Sequence, residues 1–246
     1  MFTDAEYYNY TTTRDASGRR QRPRTYSTDL LTRASVRFLR DDDTRPFFLL
    51  VGYNAPHQPA TPASKHKDEL FEVNATPNFN EAQVGDKPAY IRSLPLLDDW
   101  GELVTLLIRL SHYRALRSLD DGLAAMFGAL EETGRLDDTL VIYSGDNGYS
   151  FGAHRWDRKR APYDESARVP LLMRYRGSSN KHSPVPASSI DLAATIVDVP
   201  RALRPGRGPL GDHKPRRGLR VGRSAGRAGR ATRRIEVRRR RVATPG

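Results

Sequence analysis

Asp146, Asn147 and Lys159 are the residues of this chain whose types and spacing most directly permit chemistry. Asp146 offers a carboxylate and Asn147 an amide carbonyl, adjacent oxygen donors of the kind that suit Ca²⁺ or Mg²⁺. Gly148 lets the backbone turn so that the two can converge. Lys159 adds a compact ammonium suited to one oxygen of a tetrahedral anion. All lie in the segment 139–172, TLVIYSGDNGYSFGAHRWDRKRAPYDESARVPLL, between two apolar runs, so a hard-cation site and an anion-binding lysine share one strand end. Standing alone, Asp-Asn-Gly after a strand is a turn, and only its surroundings give it another meaning. The chain has no Cys, which excludes thiolate zinc sites, disulfides and a cysteine nucleophile.

The elements that must carry these residues read as α/β. Short apolar runs at 47–51, 140–143 and 169–173 have the pattern of strands buried on both faces of a mostly parallel sheet. A helix is predicted over 29–39, with Thr28 as N-cap and Asp29 in the first turn. A longer one follows from Leu103, where Leu106, Leu107, Leu110, Tyr113, Leu123, Met126, Phe127 and Leu130 recur at helical spacing and Gly134 supplies a left-handed cap. Residues 54–100 are rich in Pro, Asn and Asp and are expected to form a long loop region. Loops at the C-terminal ends of strands carry the site in such folds.

Several blocks agree jointly with one family. SGDNG at 144–148, the loop with Gly152-Ala153-His154, and RKRAPYDESARVPLLMR at 158–174 resemble the calcium-and-sulfate segment of the sulfatases, in the alkaline phosphatase superfamily. PFFLLVGYNAPHQP at 46–59 is similar to the family's buried strand running into a Pro-His-x-Pro turn. TYSTDLLTRASVRFL at 25–39, FNEAQVGDKPAYIR at 79–92 and YRALRSLDDGLAAMFGALEETGRLDDTLVIYS at 113–144 follow in the family's order. The resemblance covers about residues 5–199 and, within the family, looks most like the bacterial and lysosomal enzymes of N-acetylglucosamine-6-sulfatase type.

The resemblance implies roles. Asp146 and Asn147 match two calcium ligands, Lys159 the sulfate-binding lysine, and His57 the histidine that contacts the ester and protonates the leaving group. His154 stands where many relatives carry a substrate-contacting histidine; Trp156 has two readings, stacking on a sugar or packing. The Asp120-Asp121 pair reads as solvation or helix packing, and His66, His112, His182 and His213 receive no role. The implied reaction is hydrolysis of the sulfate monoester of a sulfated carbohydrate or an aryl sulfate, with Ca²⁺ as cofactor and formylglycine as nucleophile. The family makes formylglycine from a Cys-x-Pro-x-Arg or Ser-x-Pro-x-Arg segment, and neither occurs in these 246 residues. Only one aspartate of the family's three is present, so the calcium site is expected to be incomplete and the isolated chain inactive. Met1–Tyr10 resembles an internal hairpin rather than a beginning, with no secretory signal and no transmembrane segment in the sequence. Localisation is left open, relatives being commonly periplasmic, secreted or lysosomal.

Charge divides the chain into an expected partial catalytic domain, 1–199, and a tail, 200–246. The formal charge is +12 overall, yet the tail carries 15 Arg and one Lys against Asp212 and Glu236, so the body is nearly neutral. The tail has no aromatic residue, and Arg, Gly, Ala and Pro make 33 of its 47 residues, too little apolar surface to offset chain entropy; it is expected to be disordered. A basic arm of this kind binds polyanions unspecifically. The abrupt loss of resemblance at Pro200 instead favours a frameshift near residue 199. Besides sulfate ester hydrolysis, two readings therefore stand: a phosphoester or phosphonate hydrolase of the same superfamily, and a non-catalytic polyanion-binding protein. Retranslating the coding DNA beyond residue 199 is expected to yield sequence resembling the family in another frame; its absence from every frame would leave the basic arm as the reading.

Overall fold

A computed structural model describes residues 7–8, 12–13, 20–21, 24–41, 45–176 and 182–202 of the 246. The chain divides into two compact units, Met1–Val197 and Asp198–Gly246. Nearly all of the second, including His213 and the tail expected to be disordered, lies outside the described residues. In the first unit, β1 (Thr12–Thr13) pairs antiparallel with β2 (Arg20–Gln21). Then come α1 (Ser27–Leu39), the one-turn α2 (Ala89–Arg92), the long α3 (Asp99–Glu132), β3 (Val141–Ser144), the one-turn α4 (Asp164–Ala167) and β4 (Leu171–Arg174). A final helix, α5, is Ser189–Ala202. None of the described helices is long and apolar enough to cross a membrane.

The framework is α1 packed on α3. At 34 residues, α3 is about 50 Å long. Its start is capped by Asp98, whose Oδ1 accepts from the Gly101 N–H at 2.8 Å. Its end is the left-handed cap the sequence predicts. Gly134 has φ +65°, its N–H donates to the Glu131 carbonyl, and the Arg135 N–H reaches back to the Leu130 carbonyl at 2.9 Å. The α1 start departs from expectation. The helix begins at Ser27 with no side-chain cap; instead the Ser27 N–H donates to the Tyr7 carbonyl at 2.8 Å. The Tyr7 and Tyr26 rings stack at 5.6 Å beside it, so tertiary contact with the N-terminal segment replaces the Thr28 hydroxyl as the cap.

The buried stripe of α3 also differs from the apolar one. Thr105, His112, Ala115, Ser118, Leu119, Gly122, Ala129 and Leu130 are buried, whereas Leu103 and Leu107 are 46% and 49% exposed. Small residues let α1 approach closely. A methyl group at Gly122 would meet Thr32 Oγ1 at 2.5 Å and the Tyr53 hydroxyl at 3.1 Å, the two groups that bond each other at 3.0 Å above it. At the far end, Leu39, Ala129 and Leu130 form a core on which Val36, Phe47, Leu49, Met126, Leu136 and Val141 pack.

The mostly parallel sheet expected from the apolar runs is not found among the described residues. β3 and β4 pair antiparallel, Val141 opposite Arg174 and Ser144 opposite Leu171. A parallel return needs a crossover that carries the chain back past the strand; here 145–170 stays at the C-terminal end of β3, holding only the one-turn α4, so the chain re-enters at that end. Residues 47–51 carry no strand pairing, yet their burial alternates. Phe47 and Leu49 face the core, while Phe48 and Leu50 are 70% and 82% exposed, the period of extended backbone covered on one face.

Gly122→Ala is expected to lower stability by about 1–2 kcal/mol, since overpacking outweighs the better helix propensity of Ala. Gly128→Ala in the same helix, where the added methyl meets nothing within 4 Å, is expected to raise stability by up to about 1 kcal/mol. Chemical denaturation of both variants checks the pair.

Candidate functional site

The site is built on loop 145–163, which leaves β3 and returns toward β4. Its limbs pair across their own backbone: Ser150 N–H donates to the Arg158 carbonyl at 3.2 Å and Gly152 N–H to the Trp156 carbonyl at 3.0 Å. One limb runs back to Asp146-Asn147 and the other on to Lys159, so the fold joins the cation-type donors and the lysine through one closed loop. Gly148 seats this loop. Its N–H donates to the Ser166 carbonyl at 2.9 Å, and a methyl group there would fall 2.0 Å from the Glu165 carbonyl oxygen. The glycine is needed for that close approach to α4 rather than for the turn that the sequence suggests.

Residues 78–82 brace the loop from the other side. Phe79 and Ala153 form an antiparallel bridge, Asn80 N–H donates to the Gly152 carbonyl and His154 N–H to the Asn78 carbonyl. Arg155 donates to three backbone carbonyls, those of Glu81 at 2.8 Å, Leu94 at 2.9 Å and Ala82 at 2.8 Å. His154 and Arg155 have φ of 53° and 62°, a conformation unfavourable for residues with side chains, which these bonds hold in place.

His57 enters from a different segment. Its turn, Pro56 to Pro59, reaches the loop where Gln58 Nε2 donates to the Tyr149 hydroxyl at 2.6 Å. The His57 Nδ1 lies 2.9 Å from the Gln58 carbonyl. A carbonyl only accepts, so Nδ1 carries the proton and Nε2 is the nitrogen whose lone pair can take one up. The His57 carbonyl accepts from the Tyr7 hydroxyl at 2.5 Å, a further hold on the turn.

The other expected residues sort by their partners. Asp146 and Asn147 are exposed; Asp146 Oδ1 accepts from the Asn147 N–H, and the Asn147 amide donates to the Gly148 carbonyl, each at 2.8 Å. Lys159 is half-buried, and its carbonyl accepts from Trp156 Nε1 at 3.1 Å. Trp156 also meets the Tyr90 ring edge-on at 6.0 Å, which favours packing over sugar stacking. His154 uses both ring nitrogens inside the protein, Nδ1 at 2.7 Å from Glu81 Oε2 and Nε2 at 3.1 Å from Asn78 Nδ2. Of the acidic pair, Asp121 holds Lys65 at 2.5 Å and His66 at 2.9 Å, and Asp120 meets Arg117 at 3.3 Å.

A divalent cation of the calcium type takes six to eight oxygens. Asp146 and Asn147 supply two side chains, and among the described residues no group of three or more His, Cys, Asp or Glu is placed to hold a metal ion. The donors present do not make a calcium site on their own.

The sequence reading gave no role to His112, which lies beneath the site. It is buried in α3, its Nδ1 donates to the Ile108 carbonyl at 2.8 Å, and its ring packs against Tyr149 at 5.5 Å and Phe151 at 4.9 Å. Burial pushes its pKa below the ordinary 6.5, the Ile108 bond opposes this, and the charge of His57 adds to it. Glu81, Asn78 and Glu165 escaped notice as well. Asn78 and Glu81 are loop residues and Glu165 lies in α4, each 73 to 87 positions from its partner in the chain; the blocks at 79–92 and 158–174 contain Glu81 and Glu165 without marking them.

The family model described as Sulfatase matches residues 1–200. An arylsulfatase of Volvox carteri is 34% identical over 209 residues, spanning 72% of this chain and 32% of its own length. Human N-acetylglucosamine-6-sulfatase is 30% identical over 205 residues, 80% of this chain and 37% of its own. A solved structure titled as a complex with its substrate D-glucosamine-2-N,6-O-disulfate superposes with a TM-score of 0.53 at 20% identity, covering 69% of this chain and 46% of that one. The likeness in structure is one of α/β fold. The chain spans about a third of the length of these curated relatives.

His112 gives a pH dependence with a definite sign. The unfolded chain binds a proton below about 6.5 that the folded chain resists, so stability falls as pH drops through that value toward the lower folded pKa. Thermal unfolding between about pH 7.5 and 5.5 is expected to show this fall, and His112→Gln to flatten it. The lowered carboxyls of Glu69, Asp121 and Glu165 lose their contributions only at more acid pH.

Proposed function

The chain belongs to the sulfatase family, and on that premise we propose that it derives from an enzyme hydrolysing sulfate monoesters of sulfated sugars, with glucosamine 6-sulfate as the substrate type. The single observation that carries the site assignment is the bond from Gln58 to Tyr149. It joins the turn of His57 to the segment of Asp146 and Asn147, in the loop whose other limb ends at Lys159. The sulfated glucosamine named for the fold relative and the N-acetylglucosamine-6-sulfatase likeness support the choice of sugar.

In this reading each residue acts by ordinary electrostatics. The Lys159 ammonium offsets negative charge on the sulfate oxygens, which grows as the ester bond breaks. His57, with Nδ1 committed to the Gln58 carbonyl, takes up a proton on Nε2 and, as the imidazolium, passes that proton to the departing alcohol oxygen, returning to the neutral ring. Asp146 and Asn147 would contribute oxygens toward a cation. The 246 residues contain no formylglycine precursor segment, so the covalent step has no carrier in this polypeptide. His154 belongs to the reading as a site residue whose imidazole is held by Glu81 and Asn78.

The pure 246-residue chain is expected to give no aryl sulfate hydrolysis above buffer, yet to show NMR shift changes at His57 and 146–160 on adding glucosamine 6-sulfate. Lys159→Ala is expected to weaken that binding about tenfold or more, the loss of a charge-assisted hydrogen bond. Equal binding by the variant would sink the assignment of Lys159. Turnover abolished by Lys159→Ala would overturn the inactivity, and tighter binding of a phosphate or phosphonate monoester would move the reading to a phosphoester hydrolase.

A further inference from the structure

Four side chains beside loop 150–158 form a chain in which each member fixes the next. Glu165 Oε1 lies 2.6 Å from Asn78 Nδ2. Burial works against the Glu165 anion, but the Asn78 donor and its own N–H bring its pKa below the usual carboxylate value. The carboxylate accepts and does not donate, so the Asn78 atom facing it must be the amide nitrogen, which settles the orientation of that amide. The same nitrogen meets His154 Nε2 at 3.1 Å. Nε2 therefore accepts and carries no proton. The proton sits on Nδ1, which donates to Glu81 Oε2 at 2.7 Å. The ring is stacked on Tyr163 at 4.5 Å, and the His154 N–H donates to the Asn78 carbonyl at 2.8 Å.

We propose that Asn78 is a positioning residue: oriented by Glu165, it selects the Nδ1–H tautomer of His154 and thereby holds loop 150–158, whose two limbs lead to Asp146-Asn147 and to Lys159. Asn78 grips the same residue twice, by side chain and by backbone, at the point where His154 and Arg155 adopt positive φ. Rotation of its amide would put oxygen against the Glu165 carboxylate and release the His154 ring. The two limbs, paired at Ser150–Arg158, Gly152–Trp156 and Gly152–Arg155, would then lose a brace at their tip. The functional meaning of this brace rests on the proposed roles of Asp146, Asn147 and Lys159; the tautomer does not.

Histidine nitrogen NMR on the full chain is the test. His154 is expected to show protonated Nδ1 and unprotonated Nε2. Asn78→Asp, which presents an acceptor to Nε2 while Glu81 still accepts from Nδ1, is expected to add a proton on Nε2 and leave the ring protonated at both nitrogens. It should also speed amide exchange at 146–149 and 158–160 about tenfold or more, with α3 unchanged. A wild-type Nε2–H, or an Asn78→Asp protein in which both readouts stay as they were, overturns the proposal. If that variant fails to fold, Glu165→Gln, whose amide frees Asn78 to rotate and offer its oxygen to Nε2, is expected to give a fraction of His154 protonated at both nitrogens, and an unchanged signal overturns it equally. None of these readouts needs a ligand. Failure of the wild type to bind glucosamine 6-sulfate beside the expected tautomer supports the positioning role while counting against the functional reading alone.

Discussion

Arg155 is the residue on which the arrangement of the site depends. Its guanidinium donates to the carbonyls of Glu81, Ala82 and Leu94 and ties loop 145–163 to segment 78–94. The chain runs from 45 to 98 with one turn of helix, and backbone polar groups in so long a loop region need partners. A planar fork of donors is suited to several carbonyls at once, where lysine would serve as a point charge. The bonds also offset the unfavourable backbone at His154 and Arg155.

A second level of order comes from α1 and α3. Their contact is made by small residues, with Gly122 under the Thr32–Tyr53 pair, and it places the segment that leads into His57. From the same helix, His112 supports Tyr149 from below, and Tyr149 receives Gln58. The turn that carries His57 and the segment that follows β3 are thus joined at Tyr149, above a helix that belongs to neither.

The sheet is where reading and structure part most clearly. Apolar runs at 140–143 and 169–173 are strands, shifted by one or two residues, but their pairing is antiparallel. Apolarity reports burial and not strand direction, which here follows from where the loop between them is anchored. The run at 47–51 is extended in its burial pattern without a partner strand among the described residues. In α3 the apolar Leu103 and Leu107 are exposed while Thr105 and His112 are buried, because the loop after β3 covers that face, with His112 against Tyr149 and Phe151 and Thr105 beside Gly152.

The sequence by itself determined the long helix with its Gly134 cap and, through its resemblance to the sulfatases, the family and the candidates His57, His154, Asp146, Asn147 and Lys159, because helical spacing and family motifs are both carried by neighbouring residues. Only the tertiary structure decided which groups stand behind them. Glu81, Asn78 and Glu165 meet His154 across separations of 73, 76 and 87 residues or through one another, and hydrogen bonds at such range leave no periodicity in the chain. The need for Gly148 likewise changed its reason, from a turn to the nearness of the Glu165 carbonyl. Local chemistry is written in neighbouring residues; the tautomer of a histidine depends on atoms that only folding brings within 3 Å or so of its ring.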